Sequence, residues 1–216
     1  MNARQLVTDT VRHGYRNLVG TIVVSVLVSL SVVPLAAMAT VGTPSAVLAG
    51  LWATCLLLGI VLVGGFRFAT TVADRGVPVP VLSDLRASIA TPRTGLALGA
   101  LTFLVVVAAA GLVTLAPPRF APYALGVAAF LLVDWFLVVS FAAPEFSKTL
   151  PLRSALRASV GRLLVAPSAV ALYLLLSVTC FLIAGVTVIT VGVFLPGALC
   201  LLAAHTTTTV DAERTN

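Results

Sequence analysis

The chain has 216 residues, 60% of them hydrophobic and only 9% charged, against roughly 25% charged in a soluble domain. That composition excludes a soluble globular protein. The formal charge of +6 is spread around apolar stretches and lacks the interleaved aromatics of a nucleic-acid-binding face, so it points to membrane topology and to no nucleic acid.

In chain order, the N-terminal tail carries Arg4, Arg12 and Arg16, and places Val7, Val11, Gly14/Tyr15 and Leu18 at helical spacing, the pattern of a short amphipathic helix. The first apolar run, Leu18 to Met38, matches the ~20 residues of one bilayer crossing. Together with the basic tail and Ala37-Met38-Ala39 it resembles a secretory signal. The long amphipathic tail argues against cleavage, and Pro34 reads as a kink within a span, where a neighbouring helix satisfies the freed carbonyl. Ala46 to Phe66 is the second span. The connection after it carries Arg67, Arg75, Arg86 and Arg93, with Leu82, Leu85 and Ile89 forming a second amphipathic face. Gly95 to Leu115 and Pro122 to Ala142 are the third and fourth spans, joined through Arg119 in APPRFAP.

A third amphipathic segment, with Leu152, Leu156, Val160 and Leu163, carries Arg153, Arg157 and Arg162 after Lys148. From Leu163 to Ala204 no charged residue occurs, a stretch about twice what one crossing needs. It is expected to fold back once near Ala184 to Thr190, giving six spans, with five as the alternative.

Of the 13 basic residues, all but Arg119 then fall on one side. The positive-inside rule makes that side, with both termini, cytoplasmic, in a multi-pass protein of the cell membrane. The tetrapeptide LRAS occurs at 85–88 and again at 156–159. We read the chain as one integral membrane domain of all-α class, a helix bundle of three units at roughly 1–75, 76–145 and 146–216. Each unit is an amphipathic cytoplasmic helix followed by a hairpin of two spans. Arg12, Arg86, Arg153 and Arg157 each follow a residue of an apolar face, which sets them at the rim between lipid and water. Their simplest role is to fix topology and reach the headgroups. The sharper reading is a collar of contacts to anionic lipid or to a partner.

Few residues carry a recognisable chemistry. No Walker loop, HExxH or G-x-S-x-G is present, so no catalytic, cofactor-binding or metal-binding residue is assigned, and a non-enzymatic role is expected. His13 and His205 lie in different segments without carboxylate or thiolate companions at ligand spacing, and are expected to meet headgroups or solvent. Cys55, Cys180 and Cys200 form no C-x-x-C pattern and read as packing residues. The exception is Asp134 in FLLVDWFLVVSF, near the middle of the fourth span. A carboxylate there costs ~2.5 to 3.5 kcal/mol even on the mildest insertion scale, so it is expected to face protein. Its partner is expected to be a Ser or Thr of a neighbouring span (Ser25, Ser29, Thr54, Thr102 or Thr179), a cation of a partner protein, or a transported proton or cation. Gly95 and Gly99 form a GxxxG, which serves internal packing and oligomerisation equally well.

The stretch VVPLAAMATVGTPSAVLAGLW, with Pro34, Thr40, Gly42 and Pro44, resembles the N-terminal pattern of the YesL family of small polytopic membrane proteins. LSDLRASIATPRTGLALG and FAAPEFSKTLPLRSALRASVGRLL resemble that family's two cytoplasmic connections, although the turn here reads GTP where the family pattern reads GP. The resemblance implies no catalytic residue. It implies an accessory or scaffold subunit beside a transport system, a sugar transporter of the ATP-binding-cassette type, in carbohydrate uptake. The other open reading is a small transporter or channel in which Asp134 binds a cation or proton.

Overall fold

The computed structural model describes residues 3–75, 80–90, 92–147, 151–185 and 195–215, and every regular element among them is helical. In order these are α1 (Ala3–Arg16), α2 (Leu18–Leu30), α3 (Val33–Ala39), α4 (Pro44–Arg75), α5 (Val81–Ala90), α6 (Arg93–Leu115), a 3₁₀ turn (Pro118–Phe120), α7 (Ala121–Phe141), α8 (Ala143–Ser147), α9 (Leu152–Val165), α10 (Pro167–Gly185) and α11 (Leu195–Thr215).

Among the described residues, four helical stretches are long and apolar enough to cross a membrane: Leu18–Ala39, Pro44–Arg75, Arg93–Leu115 and Pro118–Phe141. A fifth arises if α9 and α10, bent by 100° at their junction, act as one broken span. The expected fold-back near Ala184 to Thr190 falls largely outside the described residues. α11 continues past Ala204 through Thr206 to Thr209, whose hydroxyls donate to carbonyls one turn back, as Thr207 Oγ1 does to Ala203 O at 2.8 Å. This back-bonding satisfies the hydroxyls and so lets a polar tetrad sit in a packed helix.

α4 is the hub. Its 32 residues span about 48 Å at ~1.5 Å per residue, more than the ~30 Å of hydrocarbon, so the helix outruns the expected end at Phe66. Along it, glycines admit one neighbour after another. Gly50 meets α3, Gly59 meets Gly95 and Gly99 of α6, Gly64 meets Leu85 and Ser88 of α5, and Gly65 meets Val24 and Cys200. A Cβ on Gly99 would stand 2.7 Å from Leu56 Cα, so the GxxxG serves the α4–α6 contact inside the chain. Gly42, at φ 74°, closes the turn between α3 and α4, where a left-handed conformation favours a residue without Cβ.

The first span breaks between Leu30 and Val33, just before Pro34. A neighbouring helix meets the break through a donor: Leu35 N–H, in the first turn of α3, donates to Thr54 Oγ1 of α4 at 3.1 Å.

Packing is densest at one end. Phe66, Phe68, Val72, Phe141, Phe146 and Leu201 are buried in one cluster at the end of the bundle that carries α1, α5 and α9. Within the best apolar windows of the four long stretches only 17 to 28% of residues are buried.

The three amphipathic helices join their neighbours differently. Around Asn17 the hydrogen-bond ladder runs on from α1 into α2, with Asn17 N–H to His13 O and Thr21 N–H to Asn17 O, both 3.0 Å. α5 instead doubles back along α4, and α9 meets α10 at the 100° bend.

Candidate functional site

Asp134 lies on α7, about 20 Å along that helix from Ala121 at ~1.5 Å per residue, and its side chain is exposed. Among the described residues it has no hydrogen bond or ion pair. This corrects the expectation of a Ser or Thr partner, and the reason is visible in what the candidates do instead. Thr102 Oγ1 donates to Leu98 O and accepts the Trp135 indole N–H at 3.1 Å. Thr54 accepts Leu35 N–H, Ser25 donates to Thr21 O and accepts Gly197 N–H, and Thr179 donates to Leu175 O. Trp135 is thus the residue turned toward α6, and Asp134, the next position round the helix, is carried outward. In lipid an outward carboxylate keeps its full cost of burial. Nothing among the described residues offsets it.

Among the described residues, two of the grooves that open between helices are enclosed enough to hold a ligand-sized group, and Asp134 lines neither. One, of about 360 Å³, lies between α1, α2, α10 and α11 with Val11, Leu176 and Leu201 on its walls. The other, of about 410 Å³, is lined by Leu62, Phe136, Tyr173 and Leu199 among others. Both are apolar and offer no chain of titrating groups leading to Asp134.

Arg12 on α1, Arg86 on α5, and Arg153 and Arg157 on α9 are all exposed, and none has an ion pair among the described residues. Their guanidinium groups are free to meet headgroups or a partner.

Arg162, one helix turn beyond this set, behaves oppositely and was not singled out from the sequence. It is 4% exposed. Its Nε and Nη2 donate to the two carboxylate oxygens of Asp211 at 2.9 and 2.8 Å, Nη2 also donates to Glu145 Oε1 at 2.6 Å, and Nη1 to Phe141 O at 3.2 Å. One cation therefore binds α9 to α8, α11 and the end of α7. The sequence signal was the scarcity of acids: with only 7 Asp and Glu in the chain, each one near an arginine-rich connection deserves a partner.

His13 and His205, expected to face headgroups or solvent separately, meet. His13 Nδ1 and His205 Nε2 are 3.1 Å apart and the rings stack at 5.0 Å. His205 is buried, and that burial first, then the His13 ring, pushes its pKa down to about 4, with Asp9 opposing. The pair fastens α1 to α11. Among the described residues no group of three or more His, Cys, Asp or Glu side chains is arranged to hold a metal ion.

No family model, no curated protein and no solved structure matches this chain. The geometry therefore carries the functional reading. The arrangement holds a tightly clamped end built on Arg162 and the histidine pair, and beside it a set of sparsely buried apolar helices with one outward carboxylate.

Proposed function

We propose that the chain is a non-enzymatic, multi-pass membrane protein that works as an accessory or scaffold subunit of a larger assembly. The single observation that supports this most is Asp134, an intramembrane carboxylate turned away from its own chain on a helix whose span is mostly unburied. A group that costs ~2.5 to 3.5 kcal/mol at the bilayer centre is retained at an outward position when another protein receives it. A transporter or channel reading would instead want Asp134 on a polar cavity, and the apolar grooves lie elsewhere.

In the same reading the chain crosses the membrane six times as three hairpins, with both termini and the Arg162 end in the cytoplasm, following the basic asymmetry. The exposed Arg12, Arg86, Arg153 and Arg157 then sit where anionic headgroups or a cytoplasmic partner meet them. The YesL-like pattern of Pro34, Thr40, Gly42 and Pro44 suggests the kind of assembly: a carbohydrate uptake system with an ATP-binding-cassette transporter.

The test is purification of the tagged chain from its native membrane in mild detergent, with the companion identified by mass. A membrane subunit of a transport system at fixed stoichiometry supports the proposal. A chain that elutes alone, and that moves protons or cations across liposomes, overturns it in favour of the transporter.

A further inference from the structure

The α7 face around Asp134 is a shaped surface. Tyr123, Val127, Phe130 and Asp134 follow one another at spacings of four, three and four, which stacks them on one side of the helix, and all are exposed. Next to this ridge the surface is small. A Cβ added at Gly126 of α7, or at Gly111 of α6, would have nothing within 4 Å, unlike Gly59, Gly95 and Gly99, which the α4–α6 contact consumes. Between the two helices a recess open to the outside is lined by Ala108, Gly111, Leu112, Leu115, Ala116 and Ala124. Uncontacted glycines beside large apolar residues are what a transmembrane helix needs in order to approach closely.

The carboxylate decides what that helix is. Acyl chains offer Asp134 no donor. A second copy would bring another Asp134, and this chain has no cation at matching depth: Arg93 opens α6, Arg119 lies in the turn before α7, and Arg67 and Arg75 lie in the last third of α4. Ionisable residues within membranes face and pair with one another, so the missing group is a base on another protein. We infer that the α6–α7 face docks a transmembrane helix of a different protein that carries a Lys or Arg near mid-depth, opposite Asp134. This deepens the accessory-subunit reading and rests on the chain being a membrane subunit.

The experiment uses the full chain in liposomes with a labelled model helix of Leu and Ala bearing one central Arg, read by energy transfer. The Arg helix should associate about tenfold more tightly than the same helix with Leu at that position. Asp134→Asn should abolish the difference, and Asp134→Glu should keep it. Equal association of the two helices, or an unchanged preference in the Asn variant, overturns the inference. So does energy transfer between copies of the chain that disappears with Asp134→Asn, since that assigns the face to self-association. A chain that selects the Arg helix yet purifies without any transport subunit supports the inference and removes the accessory role.

Discussion

Arg162 and Asp211, 49 residues apart, are joined by two parallel hydrogen bonds of 2.9 and 2.8 Å, guanidinium fork to carboxylate. Through that pair and Glu145, the amphipathic α9 is clamped to α11 and to the short α8. Bidentate geometry of this kind belongs to Arg and not to Lys.

Removing the cation takes from buried Glu145 the guanidinium it meets at 2.6 Å, and breaking a buried pair of this kind costs about 3 to 5 kcal/mol. Arg162→Ala should therefore lower the thermal midpoint in detergent steeply, Glu145→Gln less, and Asp211→Asn least, because the Asp211 side chain is 38% exposed. Replacing Arg162 and Glu145 together by Met and Leu should recover most of the loss. An unchanged midpoint for Arg162→Ala would remove the clamp.

His205, buried against His13, gives the fold a pH dependence of defined sign. His205 titrates at about 4 in the folded chain and at 6.5 when unperturbed. The unfolded chain thus takes up the proton first, and stability present above the unperturbed value is lost progressively as pH falls toward about 4. His205→Phe should flatten this part of the profile relative to the wild type. Equal slopes in the two proteins would show that His205 does not titrate with folding.

The glycines separate into two kinds. Gly59→Leu forces the backbones of α4 and α6 apart, an overpacking that costs about 1 to 3 kcal/mol or more, whereas Gly111→Leu meets open space and should change stability little. Measured midpoints in the reverse order would contradict the α4–α6 packing.

Orientation is tested by fusion. A reporter active only in the cytoplasm should be on after Asn216 and off when inserted beside Arg119. A reporter on the outer side after Asn216 would remove the six-span arrangement.

What the sequence reveals here is what depends on local composition. Leu18 to Met38 is observed as Leu18–Ala39 and Gly95 to Leu115 as Arg93–Leu115, because a run of apolar side chains marks a membrane-length helix wherever the helix packs. The depth of Asp134 along α7 was legible for the same reason. Its direction was not, since that is settled by Trp135 reaching Thr102 on another helix. Likewise His13 meets His205 across 192 positions, and Arg162 differs from the exposed Arg157 only in having Glu145 and Asp211 brought to it. These are tertiary pairings, and no periodicity encodes them. The extension of α4 to Arg75 was missed because its polar last turns are held by α5 and α8, not by lipid.

The central claim, that Asp134 faces a partner and serves no purpose inside its own chain, is tested most directly by the stability of the isolated protein bearing Asp134→Leu. With no internal bond to lose, the purified variant should unfold within about 0.5 kcal/mol of the wild type while it no longer holds its companion subunit. A clear fall in the midpoint of the isolated variant would mean that Asp134 bonds within its own fold, and would contradict the account.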